Sequence, residues 1–149
     1  FSDFMIGSGT LGGDVFTDAL VTFTGVGDTD DVVGHYQISH LPLSVTVAGL
    51  GSATVTDDIA VVANGASNDI GFGDFTNGLA LLFVGGGLGG YDLQSDFTLT
   101  GNSILNPGAS YATSAGDFSF RSTAETATFE ARQKVTSACI ASSVLPTLA

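Results

Sequence analysis

Residues 43–56, with the sequence LSVTVAGLGSATVT, are the stretch that decides the fold class. On both sides of the central Gly49-Leu50-Gly51, apolar side chains alternate with Ser or Thr, as strands with one buried face require. β-branched residues favour strands, and glycine supplies the backbone freedom that a tight turn needs. The stretch therefore predicts a β-hairpin.

The same alternation recurs along the chain, at intervals of about 8 to 14 residues. Further strands are predicted at 93–100, 118–120 and 127–132, and continuous apolar strands near the centre of a sheet at 59–63 and 79–84. Turn residues such as Asn64-Gly65 and Asn77-Gly78 separate them. With no stretch of helical periodicity, the pattern predicts an all-β fold, a single antiparallel β-sandwich or jelly-roll-like domain.

Two parts of the chain need a separate interpretation. In residues 14–24, Phe16 and Leu20 share one strand face while Val21 and Phe23 share the other. This predicts either a β-bulge near Asp18 or a strand that is buried on both faces. At the other end, the domain is expected to span residues 1–135, and 136–149 form a C-terminal tail that docks on the domain or adds a strand to a neighbouring subunit.

Composition excludes several function classes. The chain carries a net charge of −12, made of 13 Asp and two Glu against three basic residues. Proteins bind the phosphates of nucleic acids through Lys and Arg, so nucleic acid is excluded as a partner. No apolar run in the sequence approaches the length of a membrane span. Cys139 is the only cysteine, which leaves either a buried inert thiol or a link between two chains.

The turn Asp28-Thr29-Asp30-Asp31 is the strongest candidate for a metal site. Three carboxylates in four residues provide the oxygen ligands that calcium prefers, so Asp28, Asp30 and Asp31 are predicted ligands and calcium the predicted cofactor. The turn is not an EF-hand, because Val33 and Ser39 stand where that loop needs Gly and Glu. The competing interpretation is a solvated acidic turn whose Asp side chains cap the backbone.

Catalytic equipment is scarce. His35 and His40 are the only histidines and, being five apart on a strand, point to opposite faces, so both are expected to be surface or edge residues. No Gly-x-Ser-x-Gly elbow is present. Residues 7–12 and 85–90 match G-x-G-x-x-G, but strand patterns follow both, which favours flexible loops between strands over nucleotide binding. The chain is therefore predicted not to be an enzyme.

The order of several segments resembles a known family. Residues 21–29 (VTFTGVGDT) are followed by 44–57, then by Gly71-Phe72-Gly73-Asp74, Tyr91-Asp92-Leu93 and 113–120. Together, across roughly residues 14–132, they resemble the variable β-rich body of bacterial PEP-CTERM sorting-domain proteins. The resemblance implies export from an exopolysaccharide-producing Gram-negative bacterium, an extracellular or cell-surface location and mostly non-enzymatic roles. The family's tail has a Pro-Glu-Pro motif, an apolar span and a basic cluster, whereas residues 142–149 contain one proline and no glutamate, so the sorting tail is expected to be absent or diverged.

Two function hypotheses follow. The first is a non-enzymatic extracellular structural protein, a self-assembling filament or biofilm-matrix subunit whose partners are copies of itself and exopolysaccharide. All three basic residues lie within 121–134, so that region is expected to face an acidic patch on a neighbour. The alternative is a calcium-assisted carbohydrate-binding or adhesive module, which the absence of Trp makes less favourable.

Overall fold

The structure is a computed structural model that describes residues 1–34, 36–74, 77–106 and 108–134. His35, Cys139 and the predicted tail 136–149 lie outside the described residues. One short 3₁₀ turn, Thr29–Asp31, accompanies the strands. The strands are β1 (Ser2–Leu11), β2 (Asp14–Gly25), β3 (Gln37–Ile38), β4 (Leu43–Val47), β5 (Gly51–Val55), β6 (Ala60–Asn64), β7 (Asp69–Asp74), β8 (Leu79–Gly85), β9 (Phe97–Ile104), β10 (Ser110–Tyr111), β11 (Phe118–Thr123) and β12 (Thr126–Ala131).

The strands form a single curled sheet in which the paired strands are antiparallel. Its main path runs β3-β6-β7-β8-β9-β12-β1-β2-β4-β5, with β11 on β1 and β10 on β11. The all-β, antiparallel prediction is confirmed. The described strands belong to one sheet, so the sandwich or jelly-roll arrangement is not confirmed. Among the described residues, no helix has the length and apolarity to cross a membrane.

The hairpin at 43–56 is confirmed as β4 and β5, with Leu43 opposite Val55 and Val47 opposite Gly51. The strand predicted at 93–100 begins only at Phe97. Residues before it form a loop, in which Leu93 has a positive φ of 67° and the Tyr91 hydroxyl donates to the carbonyl of Ser95. Burial of Tyr91 and Leu93 by this loop produced the misleading alternation.

The first glycine-rich motif is not a loop, and this corrects the sequence-based prediction. Gly7 and Gly9 lie inside β1, and only Gly12 and Gly13 belong to the turn that follows. A Cβ atom on Gly9 would overlap the carbonyl oxygen of Ser119 and lie 3.0 Å from the ring of Phe16. Glycine here permits the close approach of a neighbouring strand, which is a common use of glycine within a strand. In the second motif, Gly85 ends β8 and residues 86–90 form a loop, as predicted.

Two β-bulges lie at the same level of β1. On one side, Gly7 pairs with Ala19 but Gly9 pairs with Phe16, so β2 carries an extra residue near Asp18. Asp18 has a φ of 47°, and its N–H donates to the Ser8 hydroxyl at 2.9 Å. The bulge near Asp18 is thus confirmed over the doubly buried strand, because it moves the inward face from Phe16 to Val21.

On the other side of β1, Ser8 pairs with Ser122 but Gly9 pairs with Phe120. Arg121 is therefore the extra residue of a second bulge, in β11. Bulges bend a sheet and increase its twist, and glycines on the central strand allow that bend. The two bulges and the β1 glycines together mark the corner at which the sheet folds over its core.

The sheet forks beyond this corner. β11 and β12 follow one another along the same edge of β1. β12 continues to β9 and β8, whereas β11 continues to β10 and, through residues 112–114, to β5. The Thr56 N–H donates to the Ala112 carbonyl and the Ser114 N–H to the Thr54 carbonyl, each at 2.8 Å. The two branches enclose one continuous apolar core.

Phenylalanine rings form two groups in that core, one at β11 and one at β12. Phe23 on β2 meets Phe118 edge-to-face at 5.5 Å between ring centroids, and Phe118 meets Phe120 at 4.9 Å. Phe129 on β12 packs 6.1 Å from Phe72 on β7. Full burial of one such side chain contributes about 1.5–3 kcal/mol, and favourable ring pairs add about 0.5–1.5 kcal/mol. Each group therefore stabilises the packing of the strands that carry its rings.

Candidate functional site

The predicted calcium ligands lie on an exposed turn directly after β2. Asp28 caps the 3₁₀ turn, since its Oδ1 accepts the N–H of Asp30 at 2.9 Å. In the described part of the chain, no group of three or more His, Cys, Asp or Glu is arranged to hold a metal ion. The geometry is that of a self-capped acidic turn, so calcium binding by Asp28, Asp30 and Asp31 stays a prediction.

A groove of about 570 Å³ lies beside this turn. Its lining includes Phe1, Val26, Asp28, Tyr91, Arg132 and Lys134. Tyr91 stacks on Phe97 with 4.2 Å between ring centroids. We call the groove with this lining the Tyr91 groove. The groove brings Asp28 of the acidic turn close to Arg132 and Lys134, at the end of the 121–134 region that carries the basic residues. The sequence did not predict that these two parts of the chain lie together.

Hydrogen bonds between side chain and backbone fix the walls of the Tyr91 groove. Gln94 Nε2 donates to the Thr29 carbonyl at 3.1 Å, and Gln133 Nε2 donates to the Gln94 carbonyl at 2.7 Å. Arg132 donates to the carbonyl of Phe97 at 3.1 Å. Burial, with smaller contributions from nearby carboxylates, raises the pKa of Tyr91 to about 12. Tyr91 therefore stays a neutral hydroxyl donor at physiological pH.

A second groove, of about 460 Å³, lies at the fork of the sheet. It is lined by Ser103 to Leu105, at the end of β9, and by Phe120 to Thr123, on β11. One of its lining residues, Ser103, donates from its N–H to the Glu125 carbonyl and from its hydroxyl to the Ala124 carbonyl. We call this the Arg121 groove.

The outer edge of β11 borders the Arg121 groove. β10 pairs only with Phe118 and Ser119, so residues 120–123 have β1 as their one strand partner within the described ranges. Arg121 is exposed, and the ion pairs found among the described residues are His40 with Asp58 and Arg132 with Glu130. The groove thus combines a short open strand edge with a cation that has no acidic partner in that part of the chain.

One outer face of the sheet is dominated by hydroxyl groups. Across β5, β4, β2, β1, β12 and β9, residues directly opposite one another form two rows: Ser52, Thr46, Thr22, Phe4, Thr128 and Thr100, then Thr54, Ser44, Thr24, Ser2, Glu130 and Thr98. We call this the hydroxyl face. Neighbouring hydroxyls bond across strands, at 2.7 Å between Thr46 and Ser52 and 2.8 Å between Thr100 and Thr128. Neither row contains an aspartate.

His40 is a surface residue, as predicted. Its side chain is 82% exposed, and Nδ1 lies 2.9 Å from Asp58 Oδ1. His40 has a φ of 54°, so it sits in a turn and not within a regular strand. The prediction for His35 falls outside the described residues.

Asp3 is a functional candidate that the sequence reasoning missed. It points into the core from β1, opposite Phe23 on β2 and Phe129 on β12, and is fully buried. Neither carboxylate oxygen has a hydrogen-bond partner among the described residues. Burial raises the pKa of Asp3 well above its usual value. The sequence did contain an indication of this burial. Asp3 lies two residues before the buried Met5, so both side chains point to the same face of β1.

Comparison with protein-family models, with curated proteins and with solved structures finds no match to this chain.

Proposed function

We propose that this chain is a non-enzymatic extracellular structural protein that assembles with copies of itself, as a filament or biofilm-matrix subunit. The observation that carries the proposal is the open edge of β11 at residues 120–123, beside the Arg121 groove. An open strand edge presents N–H and C=O groups to another chain, and edge pairing is a common route to self-association. Self-association is therefore expected to use a defined surface, the edge of β11 at residues 120–123.

Charge and surface chemistry support the extracellular setting. A net charge of −12 keeps the chain soluble, and Arg121 offers a cation toward acidic neighbours. The hydroxyl face suits contact with exopolysaccharide, since Ser and Thr hydroxyls both donate and accept hydrogen bonds, as sugar hydroxyls do. The resemblance to PEP-CTERM sorting-domain proteins agrees with export to such a matrix.

Self-assembly is tested by sedimentation velocity across a range of protein concentrations, with negative-stain microscopy of the same samples. We expect the sedimentation coefficient to rise with concentration and elongated particles to appear. Ile104→Glu removes an apolar wall and places a carboxylate beside Arg121, where it would repel an acidic copy, so it should weaken association at least about tenfold, or 1.4 kcal/mol. Leu50→Glu is the matched control, because Leu50 and Ile104 are 42% and 41% exposed. A protein that stays monomeric at every concentration contradicts the proposal.

The Tyr91 groove favours a second candidate, a calcium-assisted carbohydrate-binding or adhesive module. Its volume lies in the usual range for small-ligand sites, roughly 300–1,000 Å³. An aromatic wall at Tyr91 and polar groups from Asp28 and Arg132 supply the mixed surface that sugar recognition uses. Calcium at the adjacent acidic turn would add a positive charge at the rim.

This candidate predicts that calcium stabilises the fold. Calcium at about a hundred times its Kd should stabilise the folded state by about 2.7 kcal/mol, which appears as a higher Tm. Asp30→Asn should abolish that rise, while Asp117→Asn, which alters another exposed aspartate, should preserve it. Calorimetry with and without millimolar calcium is the measurement. An unchanged Tm of the natural chain counts against calcium assistance.

A further inference from the structure

We propose that the Arg121 groove is the acceptor site for residues 135–145 of a second copy of this chain, which enter as an added strand on β11. The inference rests on the proposed self-assembly and names its interface. The occupant of the groove is residues 135–145 of a second copy, so each copy donates this segment to one neighbour and accepts the segment of another.

The acceptor side is defined by β11. Residues 120–123 lie along the groove with their outer edge unpaired by β10, and Ile104 and Leu105 form the opposite wall. A strand added to an open edge gains main-chain hydrogen bonds, while alternate side chains enter the space beside it. The groove offers both an edge and a wall.

The donor segment matches the groove in composition. Residues 135–145 contain no charged residue and mix apolar with hydroxyl side chains. The groove lining has the same mixture, with Ile104, Leu105 and Phe120 beside Ser103 and Ser122. The positive charge of Arg121 on this edge repels a strand that carries Lys or Arg. Arg121 therefore selects against cationic strands and accepts a segment that lacks Lys and Arg.

The course of the chain favours a second copy over the chain's own segment. β12 starts beside the fork at Thr126 and ends at Ala131, next to the Tyr91 groove, about 17 Å further along at 3.3 Å per residue. β9 and β1 occupy the two edges of β12, so the chain cannot return beside β12 within its own sheet. Residue 135 follows directly on Lys134, which lines the Tyr91 groove, so a strand that begins at residue 135 starts at the end of β12 that is far from the Arg121 groove of its own chain.

Donor and acceptor then lie at different places on each copy. Such a contact is heterologous, because the two subunits use different surfaces. A heterologous contact that does not close into a ring continues without limit and produces a filament. The inference thus accounts for a filament when successive contacts do not close.

Cys139, the only cysteine, lies inside the donor segment and provides a direct test. Ile104→Cys places one thiol in the acceptor groove, and Leu50→Cys places one at equal exposure on a distant turn. Under mild oxidation with oxidised glutathione, Ile104→Cys should form an intermolecular ladder at least about tenfold faster than Leu50→Cys. Peptide mass spectrometry should find the link between positions 104 and 139. The natural chain should stop at dimers, since it has one thiol.

Three results would overturn the inference. Equal cross-linking rates in Ile104→Cys and Leu50→Cys would show that Cys139 does not bind preferentially in the Arg121 groove. A link between 104 and 139 within one chain, seen as a compact monomer band, would mean that the segment fills its own groove. If assembly persists after deletion of residues 136–149, self-assembly occurs but this segment is not the donor strand. If the natural chain is monomeric throughout, the proposed function itself fails, and sedimentation distinguishes that case.

Discussion

Replacing Asp3 by valine is expected to stabilise the fold at neutral pH by about 1–4 kcal/mol. Asp3 is fully buried between Phe23 and Phe129, and its carboxylate has no hydrogen-bond partner in the described part of the chain. An unpaired carboxylate loses its hydration on burial and gains nothing in return. Valine fits a strand and leaves no polar atom in the core. Thermal and urea unfolding at pH 7 would measure the gain.

The same residue predicts a pH dependence with a definite sign. Burial raises the pKa of Asp3 in the folded state above the usual value of about 3.9 in the unfolded chain. The folded protein therefore retains a proton that the unfolded chain releases. Its contribution to stability is full below pH 4 and declines as pH rises toward the raised pKa. The difference in free energy of unfolding between Asp3→Val and the natural chain should grow over that interval.

Asp3→Asn separates charge from polarity. The amide does not titrate, so this variant should lose the pH slope, yet it should remain less stable than Asp3→Val because its polar atoms stay buried. Since all other acidic groups are shared, subtraction isolates position 3. A difference between Asp3→Val and the natural chain that stays constant from pH 4 to pH 9 would contradict the assignment.

Gly9→Ala is expected to destabilise the fold by about 3 kcal/mol or more, at the upper end of what overpacking costs. The new methyl group would overlap the Ser119 carbonyl on β11 and press on the Phe16 ring. A backbone atom cannot turn aside as a flexible side chain does, so β1 and β11 must separate at the corner of the sheet. Urea unfolding would report the loss as a lower midpoint.

Gly65→Ala is the matched control for Gly9→Ala. A Cβ at Gly65 would meet nothing within 4 Å, and Gly65 does not have a positive φ. The substitution should be neutral or stabilising by about 0.4–1 kcal/mol, because alanine reduces the freedom of the unfolded chain. Similar losses in both variants would mean that Gly9 does not mark a close backbone approach.

Local sequence patterns were sufficient to predict the fold class and several strands. Alternation of apolar and hydroxyl residues located β4, β5 and β12, because every second side chain of a strand faces the core. Broken parity in residues 14–24 predicted either a bulge near Asp18 or a strand buried on both faces, since one extra residue exchanges the two faces of a strand, and the strand pairing shows the bulge. These are local consequences of backbone geometry, and a local pattern can encode them.

The places where the sheet bends and forks, and the positions of its grooves, depend on long-range contacts that the sequence patterns did not predict. Gly7 and Gly9 resembled a loop in sequence, because nothing local reveals that the backbone of β11 passes against Gly9. The pairing of β11 and β12 with one edge of β1 joins residues more than a hundred positions apart. The Tyr91 and Arg121 grooves arise from that long-range pairing. Short-range patterns report which face of a strand is buried, whereas the neighbours of a strand are set by contacts that the whole chain must satisfy together.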